Sequence, residues 1–187
     1  MALVEHRTKR RTDMKVANYI ITRLENEGIR HAFCFVGGGS IFLTDALSGS
    51  QIKPIFLLHE QSCAVAADAY AQTTGHLGLV IVTTGPGVLN AMTGVAAAYI
   101  DSTPLIVLSG QVNVNQMKKY TGLRQRGIQE VDTLSLVAPI TKSVMLCDIA
   151  TLIPNQLEES ISNATTGRKG PAWLDIPLDM QQKDIVI

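Results

Sequence analysis

Six short apolar runs recur along the chain, separated by stretches with helical spacing: HAFCFV (31–36), PIFLLH (54–59), LVIVTT (79–84), PLIVLSG (104–110), ITKSVMLC (140–147) and GPAWLDIP (170–177). Most are apolar at consecutive positions instead of every second one, the pattern of strands covered on both faces. Between them lie helical patterns. Residues 14–27 put Val16, Ile20, Ile21 and Leu24 on one stripe and stop at Gly28. SIFLTDALSG, residues 60–74 and 150–165 follow the same spacing, and 129–138 reads as a short helix. GPGVLNAMTGVAAAYI reads as one helix with Pro86 in its first turn. Residues 111–128 are polar, without a period, and read as a long loop. Strands alternating with helices predict an α/β fold: a doubly wound, mostly parallel sheet of about six strands with helices on both faces. The expected division is a polar basic tail over 1–13, one domain over 14–181, and the start of a linker to a further domain over 182–187.

Hydrophobic residues make up 46% of the 187 and charged ones 17%, enough apolar mass for a buried core and too little charge for a disordered chain. Sixteen basic residues balance sixteen acidic ones, so nothing points to nucleic acid or an anionic membrane surface as a partner. The one basic cluster, HRTKRR at 6–11, reads as a solvated tail. Three dispersed cysteines without a CxxC give neither a disulfide framework nor a zinc site, and Cys34 and Cys63 read as buried fillers. No run approaches the ~20 apolar residues of a membrane helix. The expected compartment is a reducing cytoplasm.

In sheets of this class ligands bind beyond the carboxyl ends of the strands. Polar and glycine residues collect at those ends: Gly37, Gly38, Gly39 and Ser40; His59 and Glu60; Thr83 to Asn90; Ser109 to Val112. Glu60 admits two readings. As a helix-start carboxylate it gains ~0.3–1 kcal/mol from the helix dipole. As a ligand-facing group it offers a charge-assisted hydrogen bond or proton relay in a dry cleft. TTGPGVLN (83–90) allows a sharp turn and close backbone approach, yet it is not a GxGxxG, and no acidic residue sits where a ribose would need one. GGGS lacks the Lys of a phosphate-binding loop. Neither Ser40 nor Ser109 has an adjacent base, which argues against a hydrolase.

Five blocks, VGGGS, HEQS…AADAYAQTTG, VTTGPGVLNAMTGVAAAYIDSTPLIVLSGQV, GIQEVD and GPAWLDIPLDMQ, stand in the order and spacing of one family. Over nearly all of 14–181 the chain resembles the N-terminal, pyrimidine-binding domain of thiamine-diphosphate enzymes of the acetolactate synthase type. The resemblance implies that Glu60 hydrogen-bonds N1′ of the aminopyrimidine and thereby promotes loss of the thiazolium C2 proton. It implies that Pro86 and Asn90 touch the pyrimidine or line its cleft, with Gly37 and Gly38 at the same cleft and Gly39 and Gln129 on the substrate side. The substrate class it implies is a small 2-keto acid, decarboxylated or ligated to a second carbonyl. The family holds Mg²⁺ and the diphosphate with a Gly-Asp-Gly…Asn-Asn motif, and this sequence contains neither part. The expected partner is therefore a diphosphate-binding domain of the same or a second chain. The expected assembly is a homodimer, associating through the small-residue helices after Glu60 and Pro86. The isolated chain is expected to be inactive, as an excised domain. Two alternatives stay open: a separately encoded pyrimidine-binding subunit of a 2-keto acid decarboxylase, and a non-catalytic α/β interaction module.

Overall fold

The computed structural model describes residues 13–119 and 121–186; the basic cluster at 6–11 and the rest of the expected tail up to residue 12 lie outside them. The order is β1 (Asp13–Lys15), α1 (Val16–Asn26), β2 (His31–Cys34), α2 (Ile41–Ala46), β3 (Lys53–Phe56), α3 (Glu60–Thr74), β4 (Gly78–Val82), α4 (Pro86–Asn90), α5 (Met92–Asp101), β5 (Leu105–Gln111), α6 (Thr133–Val137), β6 (Ser143–Leu146), α7 (Ile153–Thr165), β7 (Pro171–Pro177), α8 (Leu178–Gln181) and β8 (Asp184–Val186). Six strands form one sheet in the order β3-β2-β4-β5-β7-β6, and every neighbouring pair is parallel. This is the six-stranded, doubly covered sheet that the apolar runs predict.

Both faces of the central strands are dry. In β4, Leu79 and Ile81 point into one core and Val80 and Val82 into the other; in β5, Ile106 and Leu108 oppose Leu105 and Val107; in β7, Leu174 and Ile176 oppose Trp173. The first core is closed by α1, α2, α7 and α8, through Ile20, Leu24, Leu43, Leu157 and Met180. The second is closed by α3 to α6, through Cys63, Ala67, Val88, Val95 and Val137. With each fully buried Leu or Ile worth ~1.5–3 kcal/mol, neither side can face water. That is why the strands read as unbroken apolar runs.

The small residues of α3 and α5 serve this packing. Ala64, Ala67, Ala71, Ala91 and Ala98 are buried, and a Cβ on Gly94 would stand 2.7 Å from that of Ala64. Ala69 and Ala97 face outward.

Four boundaries differ from the sequence reading. The helix expected over 85–100 is two, because the Ala91 N–H reaches back only three residues, to the Val88 carbonyl, in a tighter turn. The helix expected over 129–138 shrinks to α6. Gln129 takes a left-handed φ of 58°, and the Asp132 side chain caps α6 by accepting from the Ser135 N–H. A 3₁₀ turn over Ala150–Leu152 precedes α7, whose first turn holds Pro154. Finally, β8 lies within the stretch expected to begin a linker and pairs antiparallel with β1, whose Asp13 was expected to belong to the tail. Lys15 and Asp184 close that pair at 2.8 Å. Strands of three residues are too short for a period to show.

The chain leaves β2 outward to β3, then returns past β2 to β4 and β5, runs to β6 at the far edge and comes back to β7 between β5 and β6. Strand order therefore reverses between β2 and β4. The crevice at their carboxyl ends is where a ligand site belongs in this architecture.

Candidate functional site

Two turns meet at the reversal. The Gly37–Gly39 loop leaves β2, and the Thr83–Pro86 turn leaves β4. The Gly39 N–H donates to Thr83 Oγ1 at 3.2 Å. A Cβ on Gly37 would collide with the Thr83 side chain, and one on Gly39 would press on Thr84 at 3.0 Å. From the other side, Gln181 Nε2 donates to the Gly39 carbonyl at 2.7 Å. Gly38 alone of the three faces open space.

Glu60 is the first residue of α3, but it is not the cap. His59 is the N-cap, and its Nδ1 accepts from the Gln61 N–H at 3.2 Å while the ring stays exposed. That leaves the Glu60 side chain free to turn inward, where it is 4% exposed. Asn90, at the end of α4, donates from Nδ2 to Glu60 Oε2 at 2.9 Å. Oε1 has no hydrogen-bond partner among the described residues. It lies against Gly87, where an added Cβ would stand 2.7 Å from Oε1 and 2.9 Å from Thr83 Cγ2. A side chain at 87 would fill the space that Oε1 faces. The Glu60 charge also reaches Cys63 one turn on: burial first, and this carboxylate second, push the Cys63 thiol up to about 11.

The β4–α4 turn carries the rest of the site. Gly85 has a φ of 70°, a conformation that favours glycine, and a Cβ there would strike the Gln129 carbonyl oxygen. Pro86 follows, exposed at the first helical position. Gln129 is thus brought against the turn from a segment forty-four residues on, its backbone packed on Gly85 and its side chain exposed. The long loop before it is organised by Glu130, whose buried carboxylate accepts from the backbone N–H groups of Lys118, Arg126 and Gly127. The structure therefore gathers Glu60, Asn90, Gly37, Gly39 and Gln129 around the Thr83–Gly87 turn that carries Pro86, with Gly38 on the same loop as Gly37 and Gly39 facing open space.

Sequence reasoning missed a second buried group behind this crevice. Asp175 of β7 is fully buried and accepts from Ser109 Oγ at 2.6 Å and from Gln111 Nε2 at 2.9 Å. Trp173 Nε1 in turn donates to Ser109 Oγ at 2.8 Å. Burial pushes the Asp175 carboxyl up to about 7, against the pull of its hydrogen-bond donors, and the charge of Asp132 adds to the rise. The Thr133 hydroxyl is buried beside Asp175 and adds to that pull, although it makes no hydrogen bond of ordinary geometry. Ser109 is thus committed inside the core and is no nucleophile. The available signal was LDIP, a lone acid inside an apolar strand, since an unpaired buried carboxylate is rare.

All three cysteines are free and buried. Among the described residues, no group of three or more His, Cys, Asp and Glu side chains is placed to hold a metal, and no helix is long and apolar enough to cross a membrane.

A family model described as the thiamine pyrophosphate enzyme N-terminal TPP binding domain matches residues 14–136. The chain is 41% identical over 174 residues to a probable acetolactate synthase large subunit of Methanocaldococcus jannaschii, covering 93% of this chain and 28% of that protein. It is 37% identical over 164 residues to the acetolactate synthase large subunit of Haemophilus influenzae, covering 87% and 28%. It is 36% identical over 165 residues to the acetolactate synthase isozyme 3 large subunit of Escherichia coli K12, covering 88% and 28%. The chain thus spans 28% of the length of each of these curated relatives.

Proposed function

The chain belongs to the thiamine pyrophosphate enzymes, as an N-terminal TPP binding domain of the acetolactate synthase-like kind, and from that premise we propose that Glu60 is the acid–base partner of the cofactor's aminopyrimidine in an enzyme acting on small 2-keto acids. The observation that carries this reading is the half-satisfied carboxylate. Glu60 is buried, one oxygen is oriented by Asn90, and the other faces a space kept clear by Gly87. Oε1 is not sealed from solvent, so it lacks a protein donor at little cost and stays available to an outside partner.

These residues fit an aminopyrimidine. Glu60 Oε1 would hold the ring nitrogen, and the carboxyl group could keep or release a proton at that contact. Asn90 orients the carboxyl group from its other oxygen, and the burial of Glu60 strengthens that contact. The cofactor, when bound, would supply a nucleophilic thiazolium carbon and a cationic ring able to take up the electrons of decarboxylation. Gln129 stands on the substrate side of the crevice.

The diphosphate and its Mg²⁺ require residues other than those at this crevice. We therefore assign them to a diphosphate-binding domain of the same or a second chain, with a homodimer as the assembly and the isolated chain inactive. Three buried, unpaired cysteines support a reducing, cytoplasmic location. The test is an assay of 2-keto acid consumption and carboligation product by the complete enzyme with thiamine diphosphate and Mg²⁺. Cofactor-dependent turnover is expected, and its absence across small 2-keto acids would overturn the reading.

A further inference from the structure

Gln111 ends β5 directly behind the crevice and is 2% exposed. Its amide is fully used. Oε1 accepts from Thr84 Oγ1 at 3.2 Å and from the Val112 N–H at 2.9 Å. Nε2 donates to Asp175 Oδ2 at 2.9 Å and to the Val131 carbonyl at 3.3 Å. The amide cannot be turned over. The Val112 N–H can only donate and the Val131 carbonyl can only accept, so oxygen and nitrogen each have one permitted place. Asp175 must then offer an acceptor, and Ser109 and Trp173 complete a chain of donors all running toward that carboxylate.

The partners of Gln111 lie on different walls of the site. Thr84 belongs to the turn that carries Pro86 and Gly87 against Glu60. Val131 belongs to the segment that carries Gln129. The two walls also touch at the front, where Gly85 meets the Gln129 carbonyl. Satisfying Asp175 would need only one N–H from Gln111; the bonds to Thr84 and Val131 do something further.

We propose that Gln111, anchored on Asp175, is a positioning residue that ties the Thr84 turn to the Val131 segment and so sets the width of the crevice in which Glu60 receives the aminopyrimidine. This rests on the reading of Glu60 given above. Gln111 spends its hydrogen bonds on Thr84, Val112, Val131 and Asp175 and makes none to Glu60. Its effect falls on how readily the crevice accepts the ring, not on proton transfer once the ring is seated.

The test is made in the holoenzyme, titrated with thiamine diphosphate at fixed Mg²⁺. Gln111→Met keeps the length and volume of the side chain and removes its hydrogen bonds. The half-saturating cofactor concentration should rise about tenfold, while turnover at saturating cofactor changes by less than about threefold. Ser109→Ala removes a donor from the same carboxylate without touching either wall. It should lower the melting temperature and leave half-saturation within about twofold. Should Gln111→Met not fold, Thr84→Val, which drops one bond to Gln111 and keeps its shape, should still raise half-saturation about threefold. Unchanged half-saturation in Gln111→Met, or in Thr84→Val where that variant decides, overturns the proposal. So does Ser109→Ala raising half-saturation as much as Gln111→Met, because that effect would follow stability alone. Glu60→Gln in the same series tests the underlying reading separately: normal turnover at saturation would sink the role of Glu60, whatever Gln111 does to half-saturation.

Discussion

Glu60 and Asp175 are two buried carboxylates at the carboxyl end of one sheet, and their oxygens are treated differently. Asp175 has a donor on each oxygen, Ser109 on one and Gln111 on the other, and it is sealed from solvent. Glu60 has Asn90 on one oxygen and a glycine in front of the other. The first arrangement is closed and rigid; the second is closed on one side only. Burial alone does not separate a structural acid from a working one. Access does: both Asp175 oxygens are met by donors inside the core, whereas Glu60 Oε1 has no protein donor among the described residues and stays open to an outside partner.

The largest expected effect falls on the open carboxylate. In the complete enzyme Glu60→Gln keeps the shape, and its amide can still accept from Asn90, but it gives up proton exchange with the ring nitrogen. Turnover should drop ~10²–10⁴-fold, the usual scale for one acid–base group. Urea unfolding should change by less than about 1 kcal/mol, since only the dipole contribution of a helix-start carboxylate is lost. Near-normal turnover with lowered stability would make Glu60 as structural as Asp175.

The sealed carboxylate should instead show itself in stability against pH. Burial pushes the Asp175 carboxyl up to about 7 in the fold, from an ordinary 3.8. Between those values the folded chain holds a proton that the unfolded chain has released. Stability is therefore fully present at low pH, falls as pH rises through the window, and levels off above it. From pH 5 to pH 8 the parent should lose roughly 2–3 kcal/mol more than Asp175→Asn, which does not titrate. Denaturant unfolding at the two pH values reads this directly, and equal losses would mean that the Asp175 charge is not confined.

A smaller effect sharpens the contrast from the ligand side. Gly87→Ala puts a methyl 2.7 Å from Glu60 Oε1. The carboxylate must shift or the turn must yield, at ~1–3 kcal/mol for overpacking of this kind. Cofactor half-saturation should rise more than the melting temperature falls; a lowered melting temperature with unchanged half-saturation would show that the space beside Oε1 is not where the ligand sits. The smallest effect belongs to Asn90→Ala. It removes one hydrogen bond to Glu60 at an exposed helix end and should lower turnover about fivefold with little change in folding. No loss would mean that Glu60 is oriented without it.

The strands and the large helices were legible in the sequence because burial on both faces writes itself as runs of Val, Ile and Leu. Glu60, Pro86 and Gly87 were legible for a related reason: a charged residue and a Gly-Pro-Gly turn stand out at the ends of such runs. His59 was not legible as the cap, since its side chain does the work that Asp or Ser usually does. Ser109 and Gln111 stood among the polar residues at the strand ends, but their link to Asp175 was hidden because it spans 66 and 64 residues of chain. Parallel pairing of β5 with β7 brings them together, and no local pattern records which strands become neighbours. The short β1–β8 pair escaped for the same reason: it joins the two ends of the described chain.

The most direct test of the open carboxylate is exchange of the thiazolium C2 proton of bound thiamine diphosphate, followed by NMR in the complete enzyme without substrate. It isolates the proton step from substrate binding and product release. The parent should exchange that proton fast and Glu60→Gln ~10²–10⁴-fold more slowly, with cofactor bound in both. Exchange in Glu60→Gln as fast as in the parent would contradict the account and leave Glu60 as a buried structural acid.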